Sequence, residues 1–348
     1  MISAAVCLSY SEGPLVVGFG HFDRPSDGPA RATETTITVV LGISRRFCQS
    51  EGRALLRMWS IVLAANFAAR CLQFDGRCEE GRRDQMRENL QLEIALAQYR
   101  SGLDPDAIVA EAKGVGADIV LFPEMYSNGY APFDANDAAG RARWCAQAES
   151  LDGAFVGRFR RAASTHRMHV VATFLEKAEP KPFNAALLID PEGRPVLHHR
   201  KVHICDFESP ELACARGAGF AAYDIEIAAG PVRVGLMICM DREYPEAAHS
   251  LSRQGAEIVL VPNCCDLATD CAVGDVRIAQ ARGRAFETVI GIAVANYPAL
   301  RCDGHSFAVD PCGRIIAMAA ASPGLVLATF DLAAIRKVRR DERFRWQI

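Results

Sequence analysis

Several features are scarce in this 348-residue chain, and each scarcity removes a class of function. No apolar run reaches membrane length: the longest, residues 58–69, is bounded by Arg57 and Arg70 and contains Ser60 and Asn66, whereas a span needs roughly 20 residues. Lys and Arg gather on no single face and the net charge is −3, so neither nucleic acid nor an anionic membrane is expected as a partner. No charged segment followed by an apolar stretch opens the chain, which argues against a secretory signal. The 13 cysteines include no CxxC pair and are odd in number, which fits free thiols in a reducing, cytoplasmic compartment better than a disulfide framework. What remains is a small-molecule partner and, with half of the residues hydrophobic, enough apolar mass for a sizeable core.

Residues 1–85 contain no lysine and carry little periodic pattern beyond a possible strand over 36–43 and an apolar segment over 55–69. The expected division is therefore an N-terminal extension over 1–85, native or the product of an upstream reading, and a functional domain over 86–348 beginning at Met86. A small N-terminal subdomain or oligomer arm is the alternative. From residue 92 strands and helices alternate. Strands are expected over 92–98, 117–122, 168–174, 184–189, 196–201, 232–238, 257–261, 289–296, 305–309, 314–318 and 325–330; helices are expected over 104–113, 151–166, 244–254 and 275–288. The mixture of βα units and hairpins predicts layered α/β, with sheets covered by helices. Two segments resemble each other, Gly-Ala-Asp-Ile-Val-Leu-Phe-Pro-Glu124 and Gly-Ala-Glu-Ile-Val-Leu-Val-Pro-Asn263. They predict two sheets that deliver polar residues into one cleft.

Three polar residues end strands or open loops where a site could form: Glu124 after Pro123, Lys201 after Arg200, and Cys239 at the elbow between a buried strand and a helix with Pro245 in its first turn. Each alone has an ordinary explanation, as a solvated carboxylate, a surface amine or a core thiol. Together they can transfer an acyl group from nitrogen. The thiolate attacks a carbonyl or nitrile carbon, the carboxylate moves the proton to the leaving amine, and the ammonium, with the Met240 N–H, stabilises the oxyanion. No cofactor and no metal is needed. His198, His199, His203 and Cys205 raise a rival zinc site, but His199 and His203 bracket the Lys201 ammonium, which a cation would repel.

The segments Leu-Phe-Pro-Glu124-Met-Tyr-Ser-Asn-Gly-Tyr130, His199-Arg-Lys201-Val-His203 and Gly235-Leu-Met-Ile-Cys239-Met-Asp-Arg-Glu-Tyr-Pro-Glu246 resemble, in order, three motif regions of the nitrilase superfamily of carbon–nitrogen hydrolases. The likeness covers about residues 92–345. It implies a four-layer αββα sandwich that pairs through its helical face into dimers or larger assemblies. It also implies Glu124 as general base and acid, Lys201 as oxyanion stabiliser and Cys239 as nucleophile. A second glutamate of the family falls between the lysine and cysteine regions, where the chain offers Glu208 and Glu211; the spacing to Gly217 favours Glu211. The text after the nucleophile is most like the amidase and N-carbamoyl-amino-acid hydrolase branches. In that comparison Arg242 matches a position that can receive a substrate carboxylate, with an internal pair to Glu243 as the alternative. Tyr126 and Asn263, just past strand ends, are expected as pocket walls. The function implied is hydrolysis of a non-peptide amide or N-carbamoyl C–N bond, with a nitrilase or a catalytically silent binding or scaffold protein as alternatives.

Overall fold

A computed structural model of the chain describes residues 90–342. The expected strand over 36–43, the apolar segment over 55–69 and the start at Met86 lie outside the described residues. In chain order the elements are β1 (Gln91–Gln98), α1 (Pro105–Gly114), β2 (Ile119–Leu121), α2 (Ala138–Cys145), α3 (Ala154–His166), β3 (His169–Glu176), β4 (Phe183–Ile189), β5 (Pro195–Arg200), β6 (Ala222–Ile227) and β7 (Gly230–Leu236). There follow α4 (Pro245–Arg253), β8 (Ile258–Pro262), α5 (Val276–Thr288), β9 (Gly291–Ala295), β10 (Phe307–Val309), β11 (Ile315–Met318), β12 (Gly324–Asp331) and α6 (Leu332–Asp341). Local chemistry sets several ends. Asp104 caps α1 by accepting the Asp106 N–H at 3.2 Å with Pro105 behind it, and α4 likewise opens on Pro245.

The strands form two six-stranded sheets, ordered β12-β1-β2-β3-β4-β5 and β11-β10-β9-β8-β7-β6. Strand alternation explains why they stack. In β1, Ile94 and Leu96 face the second sheet, where they join Val234, Leu236, Ile258 and Leu260, whereas Ala95 and Ala97 point outward to Ile108, Val109 and Phe159 of α1 and α3. In β8, Ile258 and Leu260 point inward, and Val259 and Val261 meet Leu251 of α4 and Ile278 and Ala281 of α5. Both faces of each central strand are therefore buried, which is why these strands read as unbroken apolar runs. The result is the expected αββα sandwich. Both sheets also share one pairing pattern: β1-β2-β3 and β7-β8-β9 are parallel, and the flanking pairs are antiparallel. The two like segments, 116–124 and 255–263, thus occupy corresponding strands, β2 and β8, of opposite sheets.

Three elements escape the periodicity, namely α2, β6 and α6, and one expectation changes. Cys239 does not end its strand. β7 stops at Leu236, and Cys239 opens a single 3₁₀ turn, Cys239–Glu243, that precedes α4. Among the described residues no helix is long and apolar enough to cross a membrane.

Candidate active site

The site lies where chain segments leave the C-terminal ends of β2 and β8. Glu124 and Asn263 meet there, the Glu124 N–H donating to the Asn263 carbonyl at 3.4 Å across the two sheets. The Tyr297 hydroxyl donates to the Glu124 carbonyl at 3.0 Å, and the Thr173 hydroxyl donates to the carbonyl of Pro123. The backbone of Glu124 is thereby fixed from three sides. Lys201 follows β5; its N–H donates to the Asn184 carbonyl at 2.8 Å and its own carbonyl accepts from Gly217 at 2.8 Å.

The side chains converge. Lys201 Nζ donates to Glu124 Oε1 at 2.8 Å and to Glu211 Oε1 at 2.7 Å, and Asn184 Nδ2 donates to the same two oxygens at 2.7 and 2.5 Å. The Cys205 N–H donates to Glu211 Oε2 at 2.6 Å. None of Glu124, Lys201 and Glu211 has exposed surface. Of the two candidate second glutamates, Glu211 is the one at Lys201; Glu208 is exposed. Glu124 Oε2 is buried without a hydrogen-bond partner. One oxygen of Glu124 is locked and the other is free.

Charge distribution follows from this packing. Burial would strip Lys201 of its proton, but Glu124 and Glu211 outweigh it and hold the ammonium well above its ordinary range. Burial would likewise raise Glu211, but Lys201 and the Cys205 N–H bring it below the usual carboxylate range. Glu124 is pushed up by burial and by the neighbouring Cys239, against the pull of Lys201. Cys239 itself is pushed well up by the neighbouring Cys265 and by burial, which Lys201 opposes. Glu124 and Cys239 thus contend for one proton beside a permanent cation. Such a set can take a proton from a thiol, return it to a leaving group, and neutralise an oxyanion.

The cysteine is presented by strained backbone. Cys239 has φ of 44°, a left-handed conformation that costs a non-glycine residue about 1–3 kcal/mol. Asp241, fully buried, holds the turn against the Lys201 segment. Its Oδ2 accepts from the Ile238 N–H and from His199 Nε2, both at 3.0 Å, and its Oδ1 accepts from the N–H groups of Val202 and His203 at 3.2 and 2.8 Å and from His203 Nδ1 at 3.0 Å. Of the three histidines that suggested zinc, His199 and His203 serve this carboxylate and His198 meets Glu176 Oε2 at 2.9 Å.

Two residues expected at the substrate, Arg242 and Tyr126, make their contacts within the protein. Arg242 is fully buried: Nη1 donates to the Cys239 carbonyl at 2.7 Å, Nη2 donates to Cys265 Sγ at 3.4 Å, and Glu243 Oε1 lies 3.6 Å away. The guanidinium faces the protein and braces the nucleophile turn. Tyr126 is a core residue, its ring edge-on to Phe122 and stacked on Tyr297, and its hydroxyl donates to the Arg100 carbonyl at 2.7 Å. The chain turns left-handed at Met125, φ 50°, and carries Tyr126 inward, away from any wall. Asn263 is buried and donates to Asn296 Oδ1 at 3.1 Å and Cys265 Sγ at 3.3 Å. Met240 is half-buried, with its thioether 3.3 Å from Cys205 Sγ. Sequence reasoning passed over Asn184 and Asp241, and took Cys265 only as a core or near-site thiol. Asp241 lies two residues past the nucleophile candidate and Cys265 two past the Pro-Asn tip of the repeated segment, and those placements are the available signal.

The chain is also similar to known proteins. Residues 94–340 match the family model of carbon-nitrogen hydrolases. The deaminated glutathione amidase of Rattus norvegicus is 29% identical over 248 residues, covering 67% of this chain and 72% of the relative. An (R)-stereoselective amidase of Pseudomonas sp is 30% identical over 229 residues, covering 64% of this chain and 77% of the relative. Among solved structures, a mutant of the amidase from Nesterenkonia sp. AN1, showing the result of Michael addition of acrylamide at the active site cysteine, superposes with a TM-score of 0.58 at 25% identity and covers 73% of this chain and 99% of its own.

Proposed function

Because the chain belongs to the carbon-nitrogen hydrolase family, in the amidase branch of the nitrilase superfamily, we propose that it hydrolyses the amide of a small molecule through a thioester on Cys239. The observation that carries this reading is the split role of Glu124, with Oε1 tied to Lys201 and Asn184, Oε2 buried and partnerless, and the carboxyl near enough to Cys239 to be raised by it. Oε2 takes the Cys239 proton as sulfur bonds to the amide carbon. The oxygen, now negative, is met by the Lys201 ammonium. The C–N bond breaks as Glu124 returns the proton to the leaving nitrogen, which departs as ammonia or an amine. Glu124 then draws a proton from water, the hydroxide adds to the thioester carbon, and the S–C bond breaks to give the acid and the Cys239 thiol. Glu211 and Asn184 hold Lys201 and Glu124 in register throughout, and Asp241 and Arg242 hold the nucleophile turn.

The names of the relatives favour amides over nitriles and N-carbamoyl compounds, and the acrylamide adduct of the Nesterenkonia amidase supports a cysteine nucleophile. A cytoplasmic setting suits the nine described cysteines, all free thiols. Self-pairing through the outer helical layer is part of the proposal; exposed Val276, which opens α5, and exposed Val273 just before it support it, and sedimentation velocity tests it by dimer against monomer.

The test is a panel of amides, nitriles and N-carbamoyl compounds, run with the full chain and with Cys239→Ala. Ammonia without carbon dioxide is expected from amides, with a Cys239 thioester trapped by acid quench and no turnover by the variant. Turnover of nitriles alone would replace the amide by a nitrile. No turnover across the panel, together with sluggish iodoacetamide labelling of Cys239 at neutral pH, would favour a silent binding protein.

A further inference from the structure

The steps above use one thiol, yet a second lies against it. β7 and β8 are parallel neighbours, paired Leu236 to Leu260, so the segments leaving their C-terminal ends run side by side and carry Cys239 and Cys265. Cys265 Sγ receives Arg242 Nη2 at 3.4 Å and Asn263 Nδ2 at 3.3 Å, and the Cys239 thiol reaches the carbonyl of the adjoining Cys264 at 3.9 Å. The other arm of Arg242 grips the Cys239 carbonyl at 2.7 Å, so one guanidinium joins both thiol-bearing segments. Asn296 clamps the Cys265 backbone, accepting its N–H at 3.4 Å and donating to its carbonyl at 2.9 Å.

Two donors converging on one sulfur, one of them a guanidinium, make the environment of an anion and not that of an inert core thiol. The neighbouring Cys239, with Arg242 and Asn263, brings Cys265 down to about 7 against the effect of burial. The contrast within the same fold is clear. Cys264 lies 3.3 Å from Cys302, sulfur to sulfur, but burial pushes its thiol well up, and burial does the same to Cys205 and Cys214. Cys265 is also half-buried, which leaves a path for a small oxidant.

We propose that Cys265 and Cys239 form a peroxide-responsive pair that closes to a disulfide and switches the enzyme off reversibly. That the closure silences turnover rests on Cys239 being the nucleophile. In the first step Cys265 sulfur, as thiolate, bonds to one peroxide oxygen and the O–O bond breaks. The departing hydroxide takes a proton to become water, leaving a sulfenic acid. In the second step Cys239 passes its proton to Glu124 and its sulfur bonds to Cys265, expelling hydroxide, which leaves as water with that proton. Two thiols and one hydrogen peroxide thus give one disulfide and two waters, sulfur losing the two electrons that peroxide gains. The disulfide keeps Cys239 from the irreversible sulfinic acid, and a thiol reductant restores it.

The test exposes the reduced full chain to hydrogen peroxide at pH 7, blocks free thiols and digests it without reduction. A peptide linking Cys239 to Cys265 is expected. Amide hydrolysis by wild type should fall about tenfold and return fully with dithiothreitol, whereas Cys265→Ser and Cys265→Ala, each normalised to its untreated rate, should lose activity that dithiothreitol does not restore. Wild type that carries sulfinic acid at Cys239 and no linked peptide, or Cys265 variants that recover as wild type does, would overturn the proposal. Linkage is read by mass on wild type and needs neither turnover nor a folded variant. A linked peptide in a protein that hydrolyses no amide would leave the thiol pair standing and remove the hydrolase reading instead.

Discussion

Replacing Glu211 by glutamine removes one charge from the buried cluster while leaving its shape. Glu211 uses both oxygens as acceptors, Oε1 from Lys201 Nζ at 2.7 Å and Asn184 Nδ2 at 2.5 Å, and Oε2 from the Cys205 N–H at 2.6 Å. A carboxamide has one acceptor oxygen, so in either orientation its NH₂ opposes the ammonium or the peptide N–H. Removing one partner of a buried pair costs roughly 3–5 kcal/mol, and because Glu124 still faces Lys201 the lower end, about 3 kcal/mol, applies. At about 2–4 °C per kcal/mol for a domain of this size, the melting temperature should drop by about 6–12 °C. The sign of the pH dependence follows from the lowered Glu211 carboxyl, which burial would raise but Lys201 and the Cys205 N–H bring down. A group with a depressed folded-state pKa contributes stability that is present above its unfolded-state pKa and lost as pH falls through the folded one. The gap between wild type and E211Q should therefore be full at neutral pH and close in acid, below the ordinary carboxylate pKa, as followed by differential scanning fluorimetry across pH. A melting temperature within about 1 °C of wild type, or a gap that is the same at neutral and acid pH, would refute the role given to Glu211.

Three further outcomes are expected. Glu124→Gln should lower kcat by about 10²- to 10⁴-fold with little change in KM, since Oε2 carries the proton and does not bind the substrate; a KM effect alone would contradict this. Arg242→Met should reduce kcat by similar factors for carboxylate-bearing and uncharged amides, because the guanidinium braces Cys239 from within; a loss confined to carboxylate-bearing amides would restore it as a substrate contact. Gly217→Ala would place a Cβ 2.0 Å from the Arg200 carbonyl oxygen, next to Lys201, and should cost about 1–3 kcal/mol in denaturant unfolding; an unchanged midpoint would mean that the strand end yields freely.

The sandwich was legible because its central strands carry apolar residues on both faces: the alternating contacts of 92–98 and the unbroken run of 257–261 leave little room for another reading. The elements that escaped are those that bury little. In β6, an edge strand, only Ile225 is buried, in α2 only Trp144, and α6 sets Leu332 and Ile335 among charged residues. Motif text placed Glu124, Lys201, Glu211 and Cys239, which the structure brings to one place. Roles that depend on direction were hidden. Arg242 and Tyr126 sit beside motif residues in sequence, but a 3₁₀ turn and a left-handed residue point them into the protein. Asp241 reads as a solvated charge until its five donors, four of them 38 or more positions away in the chain, are seen around it.

The carboxylates and the ammonium belong to one sheet's side of the sandwich and the sulfur to the other. Neither half holds a working set, so a nascent polypeptide with only its first five strands assembled has no reactive centre to misfire. Slippage between the layers by a fraction of a bond length should silence turnover while far-ultraviolet dichroism barely registers it. Catalytic rate is then the sensitive gauge of whether the layers are seated.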